Sequence, residues 1–446
     1  MNKNFLEDII KKLKDKGCDQ SDVFFCESNV QSCSSRLGKI EKKENSFTKE
    51  IGIRAIVNNR QAIVSTTNFE KKNIESILDK VYQMAKVVPK NEYCGLANTY
   101  EVKKVNNEDI NKLKLFDSKK KKMNEIRDKV LELEGSALDN KKIINSEGAE
   151  ISVSNDRYIL KGSNGLDLEF RKSNSSFILA VLAGDEKSME RHYDYKSKIN
   201  FEELGNFKKI GKEVANNALK KINSKKIKTC KCDVLFDKKI SSSLLANLFT
   251  AASAPSIIKG SSFLKNKLGQ EIFNKAINVI DNPLLIGKLR SRVIDCEGIE
   301  SKEKKLVENG KLNFFFNSLN SAKQIRHKPT GHASRSVSSL PGPSFSNLYM
   351  ENGKEKRNKI IKMMKKGLVI NELMGSSINY SNGDYSRGAS GFWVENGEIQ
   401  FPVSEITIAG NLNTMFKNLI ACNDLEFNFG LNAPSCFIEN LTIGGK

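Results

Sequence analysis

Histidine is scarce in this chain, with only His192, His327 and His332 among 446 residues. None has a glutamate beside it, so neither an H-E-x-x-H nor an H-E-x-x-x-H helix can occur. His327 and His332 stand five apart with Pro329 and Gly331 between them, which excludes one continuous helix presenting both rings. A catalytic zinc needs about three protein ligands and an open position, so no zinc site built by this chain alone is expected. Long apolar runs are also missing. No stretch of about 18 apolar residues occurs, which argues against a spanning helix. The first 16 residues alternate apolar and charged positions like an amphipathic helix and lack the apolar core of a signal peptide. There is no G-x-x-x-x-G-K-[ST] phosphate loop and no G-x-G-x-x-G fingerprint. The run Gly388-Ala389-Ser390-Gly391-Phe392 lacks the final glycine of a G-x-S-x-G elbow. Nine scattered cysteines, an odd number, make no disulfide framework, and reduced thiols in a cytoplasmic protein are expected. Cys230 and Cys232 have no second pair at finger spacing and read as strand residues sharing a face.

What is present is a basic chain long enough for two domains. Hydrophobic residues make up 39% and charged residues 28%, a globular rather than a disordered balance. A net charge of +20 admits two readings. One is a nucleic-acid surface. The other is lysine accumulated on solvated faces by AT-rich coding, since lysine far outnumbers arginine and asparagine, isoleucine and phenylalanine are abundant. Base-edge and bidentate phosphate recognition favour arginine, and no dense arginine patch occurs. At most weak, nonspecific nucleic-acid binding is expected.

The pattern predicts an α+β chain of two domains, 1–225 and 226–446. The first is mixed α/β and the second mostly antiparallel and β-rich with few helices. Helices are predicted near 3–16, 69–87, 109–134 and 203–222, with strands at 22–26, 46–57 and 61–66. The helix at 109–134 includes the basic run Lys119 to Lys122. Four short strands are predicted between 143 and 195. The polar, basic stretch 223–231 is the expected boundary. A strand at 232–236 then leads through a capping Asp237 into a helix with the apolar stripe Ile240, Leu244, Leu245, Leu248 and Phe249.

The densest chemistry lies at 383–403. Phe392 to Glu395 and Glu398 to Phe401 read as two strands joined by Asn396-Gly397, the dipeptide suited to a type I′ turn. Ahead of them, a predicted loop punctuated by Gly383, Gly388 and Gly391 carries Asp384, Tyr385, Ser386 and Arg387, with the single Trp393 beside it. Such a loop on a rigid hairpin is either a binding site or a solvated turn.

This segment, followed by Ser404-Glu405-Ile406-Thr407-Ile408-Ala409-Gly410-Asn411-Leu412, resembles the C-terminal signature of the TldD/PmbA family. That family was historically labelled modulators of DNA gyrase and is now regarded as metallopeptidases. Gly367-Leu368-Val369-Ile370-Asn371-Glu372-Leu373-Met374-Gly375, Thr330-Gly331-His332-Ala333 and Asp295-Cys296-Glu297-Gly298-Ile299 agree with it too. The agreement is strongest over 230–446. The resemblance implies a heteromer that cleaves peptides or unfolded polypeptides. In the TldD branch the helix after the 232–236 strand carries H-E-x-x-x-H and a C-terminal cysteine completes the zinc ligands. Here that motif falls on Ala246-Asn247-Leu248-Phe249-Thr250-Ala251, and the cysteine position falls near Ala433, with Cys436 three residues away. The resemblance is therefore to the PmbA (TldE) branch. It implies zinc supplied by a TldD-like partner, no metal on this chain and no identified catalytic residue here. Asp384, Tyr385, Ser386, Arg387, Glu405 and His332 are the candidates for substrate or partner contact, and Gly383, Gly388 and Gly391 for loop geometry. No membrane association is implied. The alternative class is a non-enzymatic nucleic-acid- or gyrase-associated regulator.

Overall fold

The computed structural model describes residues 3–185 and 188–446. Long apolar alternation in the first half produces long strands. β1 (Gln20–Arg36), β2 (Lys39–Val57), β3 (Arg60–Thr66), β4 (Ile143–Gly162), β5 (Asp167–Asp185) and β6 (Ser188–Lys198) form one antiparallel sheet in the order β3-β2-β1-β4-β5-β6. Helices α1 (Lys3–Asp15) and α2 (Lys71–Val87) cover one end of it, packing Leu6, Ile9, Leu13 and Leu78 on Val23, Phe25, Ile51 and Ile53. A short α3 (Asn107–Lys112) follows, and then α4 (Met123–Leu138) and α5 (Phe207–Leu219) cover the other end through Ile126, Val130, Leu133 and Val214.

The second half opens with β7 (Cys230–Phe236) and α6 (Lys238–Ala251), whose first turn is capped by Asp237 accepting from the Lys239 N–H. Short elements follow: α7 (Ala254–Ile258), β8 (Val279–Asp281), β9 (Lys304–Glu308), β10 (Lys311–Leu312), α8 (Leu319–Ile325), β11 (Ala333–Ser334), β12 (Gly342–Pro343), β13 (Leu348–Met350) and α9 (Arg357–Met363). The chain then runs through β14 (Lys366–Asn379), β15 (Asp384–Glu395) and β16 (Glu398–Asn411). It ends with α10 (Leu412–Lys417), β17 (Ile420–Ala421), β18 (Leu431–Asn432) and β19 (Cys436–Gly444). Strands β16-β15-β14-β7-β19 form a sheet that closes on itself, because Thr407–Ala409 of β16 also pair with Thr442–Gly444 of β19. Closure removes the free edges. Trp393, Tyr385, Phe236 and Ile408 belong to the apolar core of this half.

The α+β class is as expected, with several differences in detail. The second half is mostly antiparallel as expected, with two parallel pairings, β7 with β14 and β13 with β18. The helix expected at 109–134 is two helices, and Lys119 to Lys122 precede α4 instead of lying within it. Three long strands replace the four short ones between 143 and 195, because polar residues there occupy one face of continuous strands. The expected loop at 383–391 is the first half of β15, and the hairpin continues to Asn411. Gly388 and Gly391 are therefore strand glycines, not loop hinges. Only Gly383, at φ +90°, adopts a backbone that favours glycine. At the hairpin tip Asn396 and Gly397 have φ 51° and 79°, both positive as a type I′ turn requires. All nine cysteines are free.

Candidate functional site

A cleft of about 620 Å³ lies between the two halves. The β6 segment His192 to Lys196 forms one wall. On the opposite side α6 presents Lys239, Ser242, Ser243 and Ala246, at helical spacing i, i+3, i+4 and i+7. The other face of α6 buries Leu244, Leu245 and Leu248, so core packing fixes how these polar residues project. The floor comes from β14. Its ladder to β15 skips from Ile370 to Glu372, a bulge that leaves Asn371 out of register and in the cleft lining. Bulges re-aim side chains in this way beside functional sites.

Ion pairs hold the walls. Lys239 of α6 binds Asp194 of β6 at 3.0 Å, and Lys238 pairs with Glu426. Lys221, buried just past α5, pairs with Glu372 and donates to the Arg191 carbonyl at 3.2 Å. Ser390 also donates to Glu372 at 3.3 Å. His192 is 7% exposed, and burial, then the charges of Lys221 and Lys239, push its pKa down to about 3. It is a neutral imidazole at pH 7. Three side-chain atoms of this lining are buried without a hydrogen-bond partner: His192 Nε2, Ser243 Oγ and Asn371 Oδ1. Buried polar atoms are almost always paired, so these three are groups that water or a ligand can satisfy.

Of the residues singled out in the sequence, Arg387 lines this cleft. Its Nε donates to the Gly375 carbonyl at 2.8 Å, leaving both Nη groups unbonded among the described residues. The others lie elsewhere. Asp384 sits at the exposed start of β15, bonded by Asn382 and Asn411. Tyr385 is 2% exposed in the core, and burial pushes its hydroxyl up to about 12. Ser386 alternates with Arg387 along the strand and is not part of the lining. Glu405 occupies a bulge of β16 at φ 55° and pairs with Lys226 of the connector. His332 is buried, its ring stacked on Phe314, and its Nε2 lies 3.1 Å from Asp281. Ser346 bonds Asp281 and not His332, so the trio is a structural network without a nucleophile–base contact. Sequence reasoning missed Ser243, Asn371 and Lys239. The available signals were the polar face opposite the α6 stripe and the Gly367–Gly375 stretch containing Asn371.

Residues 21–85, 116–222 and 229–445 match domain 1, the central domain and the C-terminal domain of the PmbA/TldA metallopeptidases. The chain belongs to the PmbA/TldD family. A relative named metalloprotease PmbA homolog, from Haemophilus influenzae, is 29% identical over 417 residues, covering 93% of this chain and 90% of its own. A stretch of 204 residues, 42% of each chain, is 30% identical to a metalloprotease TldD homolog from Buchnera aphidicola. A crystal structure from Bacteroides thetaiotaomicron, of a protein named as a modulator of DNA gyrase, superposes with a TM-score of 0.91 at 26% identity. It covers 100% of this chain and 99% of its own.

The positions to which the resemblance assigns the metal motif, 246–251, and the neighbourhood of Ala433 carry no paired metal ligands among the described residues. Ala246 lines the cleft with a methyl group, and Ala251 is fully buried. Asn247 accepts from the Tyr380 hydroxyl at 3.0 Å. Ala433 is buried, and Cys436 lies in the core with its sulfur 3.9 Å from that of Met350. Among the described residues no cluster of three or more His, Cys, Asp or Glu side chains could hold a metal ion. His192 is ringed by Lys221, Lys239 and Arg191, which repel a cation. The donor set of this cleft does not fit a metal.

Proposed function

We propose that this chain is the substrate-handling subunit of a two-component cytoplasmic metallopeptidase, paired with a TldD-like chain that holds the zinc. Its cleft takes an extended peptide or a segment of unfolded polypeptide. One observation carries the reading: His192 Nε2, Ser243 Oγ, Asn371 Oδ1 and the open end of Arg387 line the same cleft without partners. An extended backbone offers an N–H and a C=O at each residue, the groups these atoms lack. Asn371 Oδ1 accepts from a peptide N–H, Ser243 donates to a carbonyl, and the Arg387 fork grips a carbonyl or carboxylate. Family membership supplies the hydrolytic class. A zinc held by the partner would supply carbonyl polarisation and water activation. The residues here bind, orient and exclude solvent, and no proton transfer is assigned to them.

The test is photocrosslinking in the reconstituted pair, using an unfolded peptide with reactive groups placed along its length. Crosslinks should map to residues 192–196, 239–246, 371–373 and 387 of this chain. Turnover with crosslinks confined to the partner would remove the substrate-handling role. Failure of the two chains to associate, with the partner fully active alone, would remove the pairing.

A further inference from the structure

A second pocket, of about 300 Å³, lies where the open face of the N-terminal sheet meets loops of the C-terminal half, away from the cleft. Phe24 of β1, Leu160 of β4 and Leu168 and Phe170 of β5 make its apolar wall. Lys172 follows Leu168 and Phe170 at strand spacing and belongs to the same row. Loops 290–296 and 333–335 close the other side and bring Arg290, Arg292 and Arg335. This size matches the lower end of small-molecule pockets, roughly 300–1,000 Å³, and an apolar lining with a few convergent charges is their usual form.

The charges are unbalanced. Arg290 is committed to structure, stacking on Phe345 and donating to its carbonyl and to Ser344. Arg335 has a side chain only 1% exposed. One Nη binds Asp22 and the guanidinium lies over the Phe24 ring, while Nε and the other Nη have no hydrogen-bond partner among the described residues. Arg54 shares the same Asp22, so that carboxylate is already used twice. Among the described residues the Arg292 side chain donates to the Gly331 carbonyl alone, at 3.5 Å, its buried Nε is unpartnered, and its charge acts on Asp281. Lys172 is half-buried and forms no ion pair or hydrogen bond among the described residues; burial and the charges of Arg290 and Arg292, only partly offset by Asp156, push it down to about 8. Asp295 is the acid in the lining, but its oxygens accept the backbone N–H groups of Glu297, Ile299 and Ala333, and burial pushes its pKa up. Asp156, Asp281 and Asp22 supply counter-charge to Lys172, Arg292 and Arg335, but the buried donors Arg292 Nε and Arg335 Nε and Nη1 have no hydrogen-bond partner among the described residues, and buried donors left unpaired are costly unless an acceptor joins them.

We propose that this pocket binds a small apolar carboxylate, its hydrocarbon body on Phe24, Leu168 and Phe170 and its carboxylate between Lys172, Arg292 and Arg335. A guanidinium fork suits a carboxylate, and the wall opposite suits an alkyl or aryl chain. The ligand class follows from both features together: a bare anion leaves the wall empty, and an alcohol leaves the cations unpaired.

Calorimetry and thermal melting of the full chain with octanoate, octan-1-ol and inorganic phosphate test this. Octanoate should bind saturably at one site and raise the melting temperature, with the other two at least tenfold weaker. Lys172→Met and Arg292→Met should each weaken octanoate at least tenfold. Lys172→Met should not lower the melting temperature without ligand, because the half-buried ammonium holds no ion pair or hydrogen bond among the described residues. Leu168→Trp, which fills the wall, should abolish binding while the chain stays folded. Equal binding of octan-1-ol, equal binding of phosphate, undiminished octanoate binding in both cation variants, or no saturable binding at millimolar octanoate would each overturn the proposal.

Discussion

Arg387 gives Nε to the Gly375 carbonyl and keeps its remaining donors open to the cleft. Asp384 and Glu405 are held by Asn411 and Lys226, so Arg387 is not their brace. Arg387→Ala should therefore cost folding about 0.5–1.5 kcal/mol, one exchanged hydrogen bond. Peptide turnover by the reconstituted pair should fall about tenfold to a hundredfold, the equivalent of a charged contact acting in the transition state. Thermal unfolding and turnover measured side by side decide it, and normal turnover removes Arg387 from the site. His192 gives a second expectation at this scale. Its folded pKa is near 3, below the ordinary 6.5, so between those values the unfolded chain binds a proton that the folded chain refuses. The stability it contributes is complete above about pH 6.5 and is lost as pH falls, by about 1.4 kcal/mol per pH unit. Denaturant unfolding at pH 7 and pH 5 should show the parent losing about 2 kcal/mol more than His192→Gln. Equal losses would contradict a neutral buried ring.

At the scale of elements, the β14–β15 pair decides where the site residues point. A Cβ on Gly391 would lie 2.1 Å from the Val369 carbonyl oxygen, a backbone atom of the neighbouring strand. On Gly388 the nearest atom, the Met374 oxygen, would be 3.3 Å away. Gly391→Ala should cost roughly 3 kcal/mol or more, and Gly388→Ala about 1 kcal/mol or less. Chemical denaturation of both variants checks the order, and a reversed order would show that strand approach is not what these glycines serve. Strand β15, with its hairpin to β16, shows what sequence reading captured. The Asn396-Gly397 turn was legible because positive φ has few residue solutions. The strand character of 384–391 was not, because glycine and polar side chains carry the same local signal in a loop and in a strand whose neighbours approach closely.

For the whole molecule, the proposed boundary at 223–231 leads to a specific cleavage pattern. Lys225, Lys226 and Lys228 are exposed between α5 and β7. Limited trypsin digestion should cut there early, and the two fragments should stay associated under native conditions. Val337 packs with Phe24 and Leu160, and Lys239 with Asp194, across the halves. Early cuts confined elsewhere would refute the boundary, and fragments that separate at once would refute the strength of the contact. The +20 charge should give only weak nucleic-acid binding that disappears near physiological salt. A salt titration with duplexes of unrelated sequence checks this; tight, sequence-selective binding at that salt would favour the regulator class.

The sequence by itself determined the α+β class, the α6 stripe with its Asp237 cap, the hairpin tip and the family resemblance. Each rests on local spacing or on a run of residues specific enough to stand alone. Only the tertiary structure decided that β16, β15, β14, β7 and β19 close into a barrel, since closure depends on Thr407 meeting Gly444, which no local pattern encodes. It alone separated Arg387 from Tyr385, Glu405 and His332, and gathered Arg387 with His192, Ser243 and Asn371 in one cleft. Those four lie on four different elements, and the unpaired atoms that mark the cleft are defined by what surrounds them in space, not by their neighbours along the chain.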